Sequence, residues 1–251
     1  MLHCKSNFIC CEKAGNSESE NEDAYLIPSQ KGIEEEIILK FAVSDGATES
    51  SFSKEWADLL VSYYKDFSFE ETAFENTIQL ARKSWQEKID KIELPWYAQQ
   101  KAESGAYSSF LGLTVDLEKH SWKGIAIGDS NLFLIRGDEI IKSFPLEKSE
   151  QFGSTPYLLA SLQTQNVEVN SFLKKDNGEI IKDDILILGT DAICSWMLTE
   201  YEKQNKPWHS LKNLLAGNGY SLLDFKNWLN NKRNEKEIKN DDTTLIIIEF
   251  S

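Results

Sequence analysis

The sequence predicts an α+β fold, a four-layer sandwich of two antiparallel β-sheets flanked by α-helices. Three observations lead there. Short, β-like apolar runs recur at 37–44, 110–117, 123–128, 132–136, 139–144, 184–189 and 244–250. Many of these runs follow one another with no helix between them, which is not the βαβ order of a wound parallel sheet. Segments of helical periodicity stand between two groups of strands, where they have sheet faces to cover.

The elements follow in order. A possible short strand at 24–27 comes just after "NEDA", and "IILKFAVS" (37–44) is the first core strand. In 49–66, Phe52, Trp56, Leu59, Leu60 and Tyr63 line one helical face, with Thr48 or Ser50 available as a cap. In 70–92, Phe74, Ile78, Ala81, Trp85, Ile89 and Ile92 repeat the pattern. "SSFLGL" (108–113) reads as a buried strand whose small residues allow close sheet contacts. "IRGDEII" carries a Gly-Asp turn between two apolar runs, so 123–144 reads as an antiparallel meander. The polar stretch 145–180, with Gly153 and Pro156, reads as a loop or flap. Helices are expected at 192–204, 208–216 and 221–234, before the last strand. Trp56, Trp85, Trp122, Trp196 and Trp228 fall in these patterns and are expected in the core or at its rim.

Composition narrows the function. At 251 residues, 41% apolar and with seven tryptophans, the chain has ample material for a packed core. A net charge of −14 argues against a nucleic-acid or anionic-membrane partner, both of which select a basic surface. Cys4, Cys10, Cys11 and Cys194 form no CxxC pair and no zinc spacing, and are expected as reduced thiols. The amino-terminal segment is too short and polar for a secretory signal, and no run approaches the ~18 apolar residues of a membrane span. A soluble, cytoplasmic monomer is expected.

The apolar runs end in a telling way. "FAVSDG" ends in Asp45, "GIAIGDS" in Asp129 and "ILILGTDA" in Asp191, while "NDDTTLIIIEF" begins with Asp241 and Asp242. "NEDAY" adds Glu22 and Asp23. One aspartate after a strand is ordinarily a turn or cap residue. In antiparallel sheets, however, the end of one strand lies beside the start of the next, so all these positions could meet at one edge. Carboxylates gathered at one point repel and stay charged only around a cation. Oxygen donors without His or Cys favour Mg²⁺ or Mn²⁺, and a pair of such ions makes a hydrolytic site.

The ordered set "NEDA", "SDGA", "SSFLGL", "IGDSNLFLIR", "LGTDAI" and "NDDTTLIII" resembles the metal-dependent protein phosphatase 2C family, in its bacterial wording, from about residue 15 to the last strand. The resemblance implies one domain spanning 1–251 and two metal ions, with a third in some members. It implies that Asp45 bridges the two ions, that Gly46 offers its carbonyl, and that Glu22 holds the second ion with Asp23 beside it. Asp191 and Asp241 would complete the shell of the first ion. Asp129 would join Asp191 at a third, and Asp242, where the family has Asn, would give support. The implied activity is serine/threonine phosphoprotein hydrolysis by a metal-activated water, with Asp45 and Asp191 as the catalytic pair and no phosphoenzyme.

Two positions depart from the family. An arginine that grips the substrate phosphate is replaced by Glu18, and Lys13 is the nearest upstream cation to take its place. Ala47 stands where some members carry a proton-donating histidine; His3, His120 and His209 match no such position. Two other readings follow: a non-catalytic regulatory relative that binds a phosphoprotein, and a phosphohydrolase of a small phosphorylated molecule.

Overall fold

The structure, a computed structural model, describes residues 2–67, 73–93, 102–153, 155–166, 169–216 and 222–251. Two five-stranded sheets carry the fold. The first has the order β1-β12-β11-β7-β8, formed by Cys4–Cys11, Thr243–Phe250, Ile185–Gly189, Asn131–Arg136 and Glu139–Phe144. The second has the order β10-β6-β5-β3-β2, formed by Lys174–Glu179, Ser121–Ile127, Phe110–Asp116, Ile38–Asp45 and Asp23–Leu26. A two-stranded ribbon pairs β4 (Tyr107–Ser108) with β9 (Leu159–Ala160). Every ladder is antiparallel.

Side chains alternate across a strand, and that period builds the layers. Leu39, Phe41 and Val43 of β3 meet Leu186, Leu188, Ile246 and Ile248 between the sheets. The opposite faces are covered by helices. Ala42 and Ile125 of the second sheet pack under α2 (Ser53–Tyr64) and α3 (Ala73–Ile89), which follow the short α1 (Gln30–Glu35). Phe133, Ile187 and Ile247 of the first sheet pack under α5 (Asp191–Glu202), α6 (Pro207–Ala216) and α7 (Leu222–Asn234). A four-residue α4 (Val169–Phe172) precedes β10. Trp56, Trp85, Trp122 and Trp196 are buried, and Trp228 packs edge-on against Trp196 at the rim. Gly112 allows α2 to lie close: a Cβ there would come within 2.5 Å of the Tyr64 ring.

Several expectations change. The stretch 123–144 is not one meander, because β6 belongs to the second sheet and only β7 and β8 form the hairpin. The crossover at Gly128–Ser130 carries the chain from one sheet to the other. The polar stretch 145–180 is not all loop; it holds β9, α4 and β10, whose strand pairs with β6 as a polar sheet edge. Cys4–Cys11, unassigned from sequence, is the edge strand β1. Neither Thr48 nor Ser50 caps α2. Phe52 precedes that helix in the left-handed region with φ 62°, and the Ser50 hydroxyl donates to Ala47 O instead. Ile92 lies beyond α3 and is exposed. The cysteines are free. No helix among the described residues is long and apolar enough to cross a membrane.

Candidate functional site

The acidic residues come from both sheets. Asp23 opens β2, Asp45 closes β3, and the two are register partners. Asp241 and Asp242 lead into β12, whose neighbour β11 runs out into Thr190 and Asp191 at the start of α5. Asp129 lies in the crossover from β6 to β7. They therefore face the end shared by two sheets, rather than the edge of one. Among the described residues, no three acidic side chains close into a ready coordination cage. They are near enough to act on one another electrostatically. Burial first, and then the charges of Asp23, Asp191, Asp129 and Asp241, push Asp45 well above the usual carboxylate range.

Serine hydroxyls fix the main chain of Asp45. Ser109 N and Ser108 Oγ donate to Asp45 O at 2.9 and 2.7 Å, and Asp45 N donates to Ser109 Oγ at 3.3 Å. Ser109 Oγ also pairs with Ser130 Oγ at 2.6 Å, which ties the Asp129 turn to the same frame. Gly46 passes between Glu22 and α2: a Cβ there would lie 2.8 Å from Glu22 O and 3.0 Å from the Ser53 main chain. That close approach requires glycine.

Asp242 acts as a clamp. Its two carboxylate oxygens accept from Lys13 N at 2.7 Å and Glu22 N at 2.8 Å, joining the end of β1 to the start of β2. Glu22 is held from both sides. Ser53 Oγ donates to its Oε1, and Lys13 Nζ lies 3.8 Å from its Oε2 and 3.2 Å from Thr48 Oγ1. Glu18 is exposed on a single 3₁₀ turn (Glu18–Glu20).

Thr190 joins the sheets. Its hydroxyl donates to Asp23 Oδ2 at 3.0 Å and accepts from Thr244 N at 3.0 Å, and so does not cap its own helix. The other oxygen of Asp23, Oδ1, is buried without a partner, as is Asp191 Oδ1. Asp191 Oδ2 and Asp241 Oδ2 share one cation, Lys239 Nζ, at 3.3 and 2.5 Å. Arg233 holds the loop beneath by donating from Nη2 to Asp241 O at 2.5 Å.

This concentration of charge has a pH signature. Burial and the Asp191 charge push Asp129 up to about 6, and burial raises Asp23 and Asp45 well above the usual range. An unfolded aspartate titrates near ~3.9. Between about pH 4 and pH 6, and higher for the more strongly raised groups, the native protein therefore binds more protons than the unfolded chain. Stability must fall as pH rises through that window. Glu200, held low by its hydrogen bond from Lys203, works in the opposite sense, but its contribution is lost only below about pH 4.3. With chelator present, the thermal midpoint is expected to be higher at pH 5.5 than at pH 7.5. An equal or lower midpoint at 5.5 would refute the reading of strained carboxylates.

No family model matches the chain, and no curated protein does. Solved structures do. The catalytic domain of the serine/threonine protein phosphatase PstP, in complex with two manganese ions, superposes with a TM-score of 0.61, covering 100% of this chain and 99% of its own at 11% identity. RsbX in complex with magnesium matches at 0.54, covering 99% and 96%, with 17% identity. PppA, a regulatory component of the type VI secretion system in Pseudomonas aeruginosa, matches at 0.57, covering 99% and 98%, with 14% identity. The chain has the protein phosphatase 2C fold.

Within the 2C fold, the structure brings Asp23, Asp45, Gly46, Asp129, Asp191 and Asp241 to one end, with Glu22 and Lys13 at its side. The sequence reading missed Ser108, Ser109, Ser130, Thr190, Arg233 and Lys239. The small residues of "SSFLGL" and the threonine of "GTDA" were visible signals for four of these six, in "SS", "GDS" and "GTD". Arg233 and Lys239 lie in polar helix and loop, where no periodicity marks them.

Proposed function

We propose that this chain is a cytoplasmic, Mg²⁺- or Mn²⁺-dependent phosphatase of the 2C family, one domain acting on phosphoserine and phosphothreonine of a protein substrate. One observation carries the reading: acids from both sheets converge on one end, and two of them, Asp23 and Asp191, keep a buried carboxylate oxygen unpartnered. Buried acceptors without partners are costly, and divalent cations relieve that cost. The donor set is oxygen throughout, as Mg²⁺ and Mn²⁺ require.

Asp45, the Gly46 carbonyl and Glu22 would hold one ion, and Asp45, Asp191 and Asp241 another. Asp129 with Asp191 would serve a third. Asp242 is left to support, since both its oxygens already accept main-chain N–H groups. Asp23 gives only Oδ2 to Thr190, and its unpartnered Oδ1 would stand beside Glu22 for the ion held there. When bound, such ions supply an activated water and neutralise charge developing on a phosphoryl oxygen. The chain's own part is to orient and receive. The serine frame holds Asp45 fixed, and Ser53 and Asp242 aim Glu22. Lys13 presents its ammonium beside Glu22 and Thr48, where a phosphate dianion would meet it. None of the three histidines is placed to supply the leaving-group proton: His209 pairs with Asp138, His120 lies in the turn after β5, at the opposite end of that strand from Ser109, and the main chain of His3 pairs with Ser251, at the opposite end of β12 from Asp242. Solvent then supplies that proton.

The test is phosphate release from a phosphothreonine peptide by chelator-stripped protein, with Mn²⁺ or Mg²⁺ restored and Asp45→Asn and Asp191→Asn as controls. Metal-dependent release abolished by both substitutions is expected. A folded protein that binds metal yet releases nothing would transfer the weight to a non-catalytic phosphoprotein binder, a reading that the exposed Glu18 in place of arginine favours. Release from nucleotides or sugar phosphates alone would favour a small-molecule phosphohydrolase.

A further inference from the structure

Lys239 is placed where a metal-binding centre would not be expected to tolerate a lysine. It lies on the loop between α7 and β12, two residues before Asp241, and its side chain is 64% exposed. Its ammonium nonetheless turns inward, 2.5 Å from Asp241 Oδ2 and 3.3 Å from Asp191 Oδ2. These are the two carboxylates that, on the proposed reading, share one ion. At Asp241 the ammonium takes Oδ2 while Oδ1 accepts from Asp242 N at 3.1 Å, so an ion there competes with it directly; at Asp191 it takes Oδ2 and leaves the buried Oδ1 open. The lysine also places a positive charge within a few ångströms of any ion held there, where repulsion is large. Its four-carbon stem leads from solvent, so the head can leave without disturbing the fold.

We infer that Lys239 is an intramolecular competitor for the cation at Asp191 and Asp241: it neutralises the metal-free centre and lowers the affinity of that one ion, leaving the Glu22 side untouched. The inference rests on the proposed metal-dependent function. It makes occupancy of this half of the centre a graded function of cation concentration. The protein could then be folded and partly loaded at low metal, and fully loaded only when metal is plentiful.

The experiment is calorimetric titration of Mn²⁺ into the chelator-stripped full chain as wild type, Lys239→Met and Lys239→Arg, together with thermal midpoints without metal. Lys239→Met is expected to tighten one class of Mn²⁺ site by about tenfold or more, to leave the other class unchanged, and to lower the metal-free midpoint. Lys239→Arg, which keeps the charge, is expected to bind as wild type does. If the wild type binds Mn²⁺ and Lys239→Met binds it no more tightly, or Lys239→Arg tightens it equally, the competitor role is wrong while the phosphatase reading stands. If none of the three takes up Mn²⁺, both fall.

Discussion

Asp45→Asn is expected to make the metal-free protein more stable and the metal-supplied protein inactive. The substitution changes almost no volume and removes one charge from a group of five mutually repelling acids. Burial and the charges of Asp23, Asp191, Asp129 and Asp241 already oppose ionisation of Asp45. Relieving that opposition should add about 1–2 kcal/mol in the absence of metal, a common result when a strained functional site is neutralised. For a chain of this length, that is a rise of about 2–8 °C in thermal midpoint. Adding Mn²⁺ should reverse the order. On the proposed reading, wild type gains stability by mass action as ions bind, whereas the amide variant, lacking a carboxylate that would hold them, gains little. Since loss of even an outer partner of a metal ligand commonly costs 10–100-fold, losing this ligand should cost at least about 100-fold in phosphate release. Thermal scans with chelator and with Mn²⁺, beside the peptide assay, read all three effects. A metal-free Asp45→Asn protein less stable than wild type would mean that the carboxylate is a structural acceptor, and the proposed centre would lose its main argument.

Part of this was legible in the sequence, for a definite reason. Strands buried on both faces must be apolar almost throughout, so 37–44, 132–136 and 244–250 could be read to within about a residue of β3, β7 and β12. The aspartates at their ends stood out because an apolar run has no packing use for a carboxylate. Other features lacked such a signal. β1 (Cys4–Cys11) pairs with β12 alone and mixes polar and apolar positions, and β10, "KKDNGE", is a solvent-facing edge. Strand patterns also do not state which sheet a strand joins. The Gly-Asp turn marked the β7–β8 hairpin correctly, but nothing in "GIAIGDSNLFLIR" distinguishes a hairpin from the sheet-to-sheet crossover it makes. Gly128 is what the crossover requires: its φ is 96°, and a Cβ there would come within 2.6 Å of Ser109. Lys239 was illegible for a different reason: a surface lysine in "EIKNDD" has the composition of solvated loop, and only the folded path turns it onto Asp191.

The largest stability effect is expected from Thr190→Val, a substitution that keeps side-chain shape while removing one hydroxyl. That hydroxyl is fully buried and works in both directions, donating to Asp23 Oδ2 in the second sheet and accepting from Thr244 N in the first. Valine leaves Thr244 N without this acceptor and Asp23 Oδ2 without this donor, while Asp23 Oδ1 is already unpartnered. Unsatisfied buried groups cost about 1–3 kcal/mol each, so a loss of about 2–4 kcal/mol is expected. Asp23→Asn separates the two halves of that loss in a double-mutant cycle. A neutral amide should need the threonine donor less, so Thr190→Val should cost less in the Asp23→Asn background, with a coupling of about 1 kcal/mol or more. Equal cost in both backgrounds would place the whole effect on Thr244 N and give the Thr190–Asp23 bond no part in stability. The expected coupling would instead make this bond the one that sets the two halves of the acidic end in register. Asp23 is paired with Asp45 in β2 and β3, and Thr190 immediately precedes Asp191. A shift of one sheet against the other would therefore separate Asp45 from Asp191 directly.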